Sequence, residues 1–159
     1  METKHNLRKA LLVADGGSTK TDWCLAVPHR EPQLFRTRGL NPALLEPPAI
    51  REILQTELLP RLAPHLQGPE TETHIYYYGA GCLPSVCDKM GQALTGLFPR
   101  STAEVHSDLL GAARALCGHE AGIACILGTG SNSCRYDGQD IVQHVSPLGY
   151  ILGLSLIHI

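Results

Sequence analysis

Residues 10–23 read ALLVADGGSTKTDW, an apolar run that ends in an aspartate, two glycines and a cluster of hydroxyl and amine side chains. A short apolar run bounded by turn residues predicts a buried β-strand, here over 10–15. A second strand is predicted over 22–27. The glycine-containing turn between them therefore joins the two strands as a hairpin.

Outward from this hairpin, strand and helix patterns alternate along the chain. Apolar residues at helical spacing predict helices over 47–62, 84–98 and 109–117. Pro60 is expected to kink or end the first helix, because proline has no backbone N–H. Further short apolar runs predict strands over 34–38, 74–78, 103–106, 122–127, 134–136 and 141–145. This order predicts an α/β fold in which a mixed sheet is flanked by helices.

The composition is that of an ordinary globular chain. The 159 residues are 43% hydrophobic and 18% charged, with a formal net charge of -2. These values exclude disordered, collagenous and coiled-coil classes, and the length suggests one domain or one and a small piece. Near-neutral charge gives no reason to expect a nucleic acid or a membrane as a partner.

The lack of a recognisable targeting signal and the spacing of the cysteines favour a cytoplasmic protein. No apolar run approaches the roughly 20 residues that span a bilayer, and the polar N-terminus is followed by no signal-peptide pattern. The 6 cysteines form no C-x-x-C pair, so we expect reduced thiols that lie mostly in the core.

The first glycine-rich segment has the composition of a phosphate-binding loop. Glycines let backbone N–H groups approach a phosphate closely, and hydroxyl and ammonium groups add donors. Asp15 is expected to face a Mg²⁺ ion through water. The alternative interpretation is a hairpin turn that needs positive φ and carries solvated polar side chains. The candidate residues are Asp15, Gly16, Gly17, Ser18, Thr19 and Lys20.

A second glycine-rich segment follows the strand predicted over 122–127. Two such loops could clamp a polyphosphate from both sides, although each loop alone is more often a simple turn. The candidate residues are Gly128, Thr129, Gly130, Ser131 and Asn132.

Asp108 lies at a predicted strand-to-helix junction, where ligands bind in open α/β sheets. A carboxylate there could accept the proton of a substrate hydroxyl that attacks a γ-phosphate. The alternative interpretation is a helix-capping residue, since aspartate in the first turn is favoured by the helix dipole.

Several motifs in order carry a resemblance to a known family. They are LLVADGGSTKTDW at 11–23, GLNP at 39–42, YYYGAGC at 76–82, SDLLGAARALCGHEAGIACILGTGSNS at 107–133 and LGYILG at 148–153. Together they resemble the N-acetylglucosamine kinase and BadF/BadG/BcrA/BcrD-type ATPase family of the sugar kinase and actin-like ATPase superfamily. The resemblance spans residues 10–153.

The resemblance implies a fold and a set of site residues. The family fold has two ribonuclease-H-like domains with ATP in the cleft between them, so we expect one domain over 1–120 and the beginning of a second over 121–153. The resemblance also implies a catalytic base at Asp108, and sugar-binding roles for Asn41, Asn132 and Gly149. It makes residues 15–19 and 128–131 the two phosphate segments. Without the family, Asn41 is best explained as a turn residue before Pro42.

The resemblance fails after Gly153. The family continues there with an Asp-Glu-Gly-Ser run, whereas this chain continues with Leu154 and five further residues. We expect a truncated reading frame with a non-native tail over 154–159. The alternative is a genuine apolar C-terminal strand. Truncation would leave the strands after Gly122 without sheet partners, with exposed apolar surface.

The resulting hypothesis is a sugar kinase that uses ATP and Mg²⁺, takes an amino sugar as substrate, and forms a homodimer. The truncated chain itself is expected to have little or no activity. One alternative is an ATPase that activates a radical dehydratase or reductase, which Asp108 and the scattered cysteines disfavour. Another alternative is a non-enzymatic module that binds nucleotide.

Overall fold

The computed structural model describes residues 9–66, 71–97, 100–127 and 131–145. The chain divides into two compact units, Met1–Ser107 and Asp108–Ile159. The helix predicted over 109–117, which the sequence analysis placed in the first domain, therefore belongs to the second compact unit. The expected domain boundary at residue 120 stays a prediction.

The strands of the first unit are β1 (Lys9–Gly16), β2 (Lys20–Ala26), β3 (Gln33–Arg38), β4 (Glu72–Gly79) and β5 (Ser101–Ser107). They form a five-stranded mixed sheet with the order β3-β2-β1-β4-β5. Antiparallel pairing joins β1 to β2 and β2 to β3, whereas β4 runs parallel to both β1 and β5. The predicted α/β class with a mixed sheet is confirmed.

The helix predicted over 47–62 continues past Pro60 and contains a π-helical segment before this proline. It consists of α1 (Pro47–Ile53), the π-helical segment (Leu54–Leu58) and α2 (Leu59–Leu62). The backbone N–H of Leu59 donates to the carbonyl of Leu54, five residues earlier. The wider turn comes directly before the proline that cannot donate, so the irregularity lies upstream of Pro60 and the helical path continues to Leu62.

The core of the first unit lies on one face of the sheet, under these helices and α3 (Pro84–Thr95). Alternate residues of each strand point to this face because side chains in a strand have a period of two. The opposite face is more open, and Leu34 is 79% exposed there. Buried residues of the core include Leu12, Ala14, Trp23, Leu25, Ile50, Leu54, Leu58, Ile75, Tyr77, Met90 and Leu94.

The second unit packs α4 (Asp108–Cys117) on a three-stranded antiparallel sheet. Its strands are β6 (Gly122–Leu127), β7 (Ser131–Tyr136) and β8 (Ile141–Val145). The strands β7 and β8 pair in an antiparallel hairpin, and the turn between them contains Gly138 at a φ of 102°. Ile123 and Leu127 are 74% and 70% exposed, so this sheet carries the exposed apolar surface that was expected.

The described residues include every cysteine of the chain. All of the cysteines are free, as expected for reduced thiols, but only Cys82 and Cys134 are buried. The half-buried thiols of Cys87 and Cys117 pack against the two cores, so most of the thiols contribute to a core as expected. Cys24 is half-buried, and Cys125 is exposed on β6. No helix in the described ranges is long and apolar enough to cross a membrane.

Candidate functional site

The candidate site of the first unit lies where the carboxyl ends of parallel strands meet. Gly16 at the end of β1 is in register with Gly79 at the end of β4, and Gly79 is in register with Ser107 at the end of β5. Open α/β sheets bind ligands at this edge. The glycine-rich turn between β1 and β2 starts there.

Ser18 and Thr19 form the exposed tip of a tight turn that joins β1 to β2. The backbone N–H of Gly17 donates to the carbonyl of Lys20 over 2.8 Å and closes this turn. Neither Gly16 nor Gly17 has a positive φ. The alternative that these glycines serve a positive-φ turn is therefore wrong.

Close approach explains the two glycines instead. A Cβ on Gly16 would overlap the ring of Tyr77, and a Cβ on Gly17 would lie 2.9 Å from the carbonyl oxygen of Lys20. The lack of side chains lets the turn fold tightly over the end of the sheet. Both glycines are therefore explained by contacts inside the fold, because the space that each Cβ would take is already filled by protein atoms.

The segment after β3 packs directly on the turn. The N–H of Gly39 donates to the carbonyl of Thr19 over 3.0 Å, and the N–H of Leu40 donates to the Thr21 hydroxyl over 3.1 Å. A Cβ on Gly39 would overlap the backbone of Ser18. Gly39 is therefore required by contact with the turn, a role that its sequence neighbourhood did not reveal.

Asn41 is 8% exposed and makes two hydrogen bonds through its side-chain amide. Its Oδ1 accepts from the backbone N–H of Ala43 over 2.9 Å, which is the bond of an Asx turn. Its Nδ2 donates to the hydroxyl of Ser18 over 2.9 Å. The turn role expected without the family is thus real, and the same side chain contacts the tip of the glycine-rich turn.

Tyr77 is buried against both segments, and the sequence analysis did not identify it. Its hydroxyl donates to the carbonyl of Leu40, and Cβ atoms on Gly16 or Gly79 would overlap its ring. The ring also contacts that of Trp23, with centroids 6.1 Å apart. The available signal was strand parity, because Tyr77 has the same parity as the buried residue Ile75.

The acidic residues at this end of the sheet differ in their partners. Asp22 binds Arg36 over 2.5 Å and Lys20 over 2.8 Å, and the hydrogen bond from Arg36 followed by that from Lys20 lowers the pKa of Asp22. Lys20, a candidate phosphate ligand, is engaged with Asp22 here. Asp15 is exposed and lies directly opposite Asp22 in the sheet.

Asp15 suits an ion that needs few protein ligands. Mg²⁺ is usually held by one or two carboxylates together with substrate phosphates and waters, and this donor set is compatible with a single exposed carboxylate. Among residues 9–66, 71–97, 100–127 and 131–145, no three His, Cys, Asp or Glu side chains group as a complete metal site.

The remaining candidates belong to the second unit or lie outside the described residues. Asp108 is the first residue of α4, and its Oδ1 accepts from the N–H of Leu109 over 2.8 Å. Ser131 and Asn132 start β7, and Asn132 Oδ1 is buried without a hydrogen-bond partner in the described part of the chain. Gly128, Thr129, Gly130 and Gly149 lie outside the described residues.

Solved structures share this fold. A protein of Porphyromonas gingivalis assigned as an N-acetylglucosamine kinase is 48% identical, with a TM-score of 0.81 over 91% of this chain and 50% of that one. A second assigned N-acetylglucosamine kinase, from Chromobacterium violaceum, is 19% identical with a TM-score of 0.64 over 91% of this chain and 50% of that one. MreB5 of Spiroplasma citri bound to ADP is 8% identical with a TM-score of 0.62 over 86% and 51%.

The chain spans about half the length of these solved proteins. The two less similar structures support the fold alone. No protein-family model and no curated protein sequence matches the chain.

Proposed function

Because this chain has the actin-like ATPase fold and is a relative of the N-acetylglucosamine kinases, we propose that the whole protein phosphorylates an amino sugar with ATP. N-acetylglucosamine is the proposed substrate. The observation that carries this proposal is the hydrogen bond between Asn41 and Ser18 at the tip of the glycine-rich turn. This bond joins a residue proposed to bind the sugar to a loop proposed to bind the phosphates.

The turn between β1 and β2 is the proposed first phosphate segment. Its glycines let the turn fold tightly at the end of the sheet, and the exposed hydroxyls of Ser18 and Thr19 can donate to phosphate oxygens. Lys20 can reach the same phosphates once it leaves Asp22, because its side chain is 56% exposed. Residues 128–131 are the proposed second phosphate segment.

Asp15 is the proposed carboxylate for Mg²⁺. When bound with ATP, the ion would neutralise charge on the phosphates during transfer. The exposed Asp15 carboxylate at the end of β1 is chemically suited to hold the hydration shell of such an ion.

Asp108 is the proposed catalytic base. Its carboxylate accepts the proton of the sugar hydroxyl while the hydroxyl oxygen forms a bond to the γ-phosphorus. The bond between that phosphorus and the bridging oxygen breaks, and ADP leaves. Positioning and electrostatic stabilisation supply most of the catalysis in reactions of this class.

The sugar is proposed to contact Asn41, Asn132 and Gly149. Side-chain amides suit a sugar because each carries two donors and an acceptor with two lone pairs. The buried, unpartnered Oδ1 of Asn132 supports this role, since a buried acceptor without a donor costs free energy until a ligand supplies one. The proposed assembly is a homodimer, and the proposed compartment is the cytoplasm.

The decisive experiment is Asp108→Asn in the whole protein. We expect ATP-dependent phosphorylation of N-acetylglucosamine to fall by about 10²- to 10⁴-fold, because the base is removed. Nucleotide affinity, measured by calorimetry, should be unchanged. Asp140→Asn, in the turn after β7, is the matched control and should retain activity.

Two results would contradict the proposal. Undiminished sugar phosphorylation by Asp108→Asn would exclude this residue as the base. A wild-type whole protein that binds ATP but phosphorylates no amino sugar would instead support the nucleotide-binding module.

A further inference from the structure

The orientation of the Asn41 amide can be assigned from its partners. The backbone N–H of Ala43 can only donate, so the side-chain atom of Asn41 that it contacts must be the oxygen Oδ1. The atom that faces the Ser18 hydroxyl, 2.9 Å away, is therefore the nitrogen Nδ2. Asn41 must donate to Ser18 in this arrangement.

This direction leaves the Ser18 hydroxyl hydrogen available to a ligand. A hydroxyl has one donor hydrogen and two acceptor lone pairs, and Asn41 occupies one of the lone pairs. The Ser18 side chain is exposed at the tip of the turn, so its hydrogen can point outward to a phosphate oxygen. Hydrogen bonds arranged in such a chain strengthen one another.

A backbone contact joins the same two segments. The N–H of Gly39 donates to the carbonyl of Thr19 over 3.0 Å, and the backbone of Ser18 fills the space where a Cβ of Gly39 would lie. A shift of the segment that contains Asn41 therefore displaces the tip of the turn. Side-chain and backbone contacts therefore join the same two segments of the chain.

We infer that Ser18 couples the sugar site to the phosphate site, so that each ligand strengthens the binding of the other. This inference rests on the proposed function, which assigns Asn41 to the sugar and the turn to the phosphates. A sugar that hydrogen-bonds the Asn41 amide strengthens the existing bond from Nδ2 to the Ser18 oxygen. The Ser18 hydroxyl then meets the phosphate already oriented.

The experiment measures coupling in the whole protein by calorimetry. The Kd of the magnesium complex of a non-hydrolysable ATP analogue is determined with and without saturating N-acetylglucosamine, and the ratio of the two values is the coupling factor. We expect a factor of about five or more in the wild type, within the usual range for coupled sites. Ser18→Ala should reduce the factor to about one to two.

Two further variants separate coupling from folding and from simple contact. Ser18→Thr keeps the hydroxyl and should keep most of the coupling factor. Ser85→Ala removes an exposed serine of α3 and should leave both the Kd values and the coupling unchanged. Thermal unfolding of every variant checks that the fold is retained.

The outcomes distinguish this inference from the proposed function. A wild-type coupling factor in Ser18→Ala would overturn the inference while leaving the kinase proposal intact. An equal loss of nucleotide affinity with and without sugar would also overturn it, because Ser18 would then be a phosphate ligand only. A wild-type protein that binds neither ligand would overturn both.

Discussion

At the scale of single residues, two glycines of the first unit serve different purposes. The position where Gly39 would carry a Cβ is filled by the backbone of Ser18, which cannot move away as a flexible side chain can. Gly91 lies in the interior of α3, and its Cβ would have its nearest neighbour at 3.9 Å, a methyl group of Val105. The first glycine is needed for contact, whereas the second only weakens a helix.

The two glycines predict opposite effects of alanine. Gly39→Ala should destabilise the chain by about 1–3 kcal/mol, because the turn must shift to admit the methyl group. Gly91→Ala should stabilise it by about 0.4–1 kcal/mol through lower entropy of the unfolded chain and better helix propensity. Urea unfolding of both variants measures the difference. Equal effects would contradict the contact assigned to Gly39.

The ion pairs of Asp22 make a second prediction at this scale. The hydrogen bond from Arg36 holds the pKa of Asp22 below its ordinary value of 3.8, so Arg36→Gln should raise that pKa. At a pH above the ordinary pKa of 3.8, the lowered pKa of Asp22 contributes to the stability of the folded state. This contribution is lost as the pH falls through the lowered pKa of the folded state. NMR titration of the Asp22 carboxyl carbon measures the change. Arg51→Gln in α1 is the control, and an unchanged Asp22 pKa in Arg36→Gln would refute the assignment.

At the scale of elements, Tyr77 connects the ends of β1 and β4 to the segment that contains Asn41. It is fully buried, and its hydroxyl donates to the buried residue Leu40. Neighbouring Tyr78 lies on the other face of β4, where its ring stacks on His106 with centroids 5.7 Å apart. Tyr77 therefore holds the buried segment at Leu40, whereas Tyr78 packs on the opposite face of the sheet.

Replacing each tyrosine by phenylalanine tests this difference. Tyr77→Phe should cost about 1–3 kcal/mol, because the Leu40 carbonyl loses its donor in a dry environment. Tyr78→Phe should cost less, since water can reach that half-buried side chain. The free energy of unfolding of each variant is the measurement. A larger cost for Tyr78→Phe would mean that Tyr77 does not support the site.

At the scale of the whole molecule, the two compact units differ in how completely they bury their apolar residues. The first unit has an extended core under its helices, whereas the second leaves Ile123 and Leu127 largely exposed on a three-stranded sheet. Contiguous exposed apolar surface marks a contact surface or an aggregation hazard.

This asymmetry predicts separate behaviour of the two units. Residues 1–107 expressed alone should give an NMR spectrum that overlays on that of the same residues in the 159-residue chain. The 159-residue chain should bind the dye ANS more strongly than residues 1–107, because the second unit exposes apolar side chains. Equal dye binding, or an unfolded shorter chain, would contradict the division.

The sequence by itself was sufficient for the order of strands and helices, the mixed α/β class and the hairpin over residues 10–26. These features depend on local periodicity and turn chemistry, which neighbouring residues carry. Pro60 was recognised as an irregularity, but the π-helical segment lies before the proline and contacts β3, which no local pattern indicated.

Only the tertiary structure decided why the glycines are needed and what holds the site together. The contact of Gly39 with Ser18, the bond from Asn41 to Ser18 and the Tyr77 support join residues that lie far apart in the chain. No local pattern encodes such contacts, because they depend on strand register and on which face of a strand each side chain occupies.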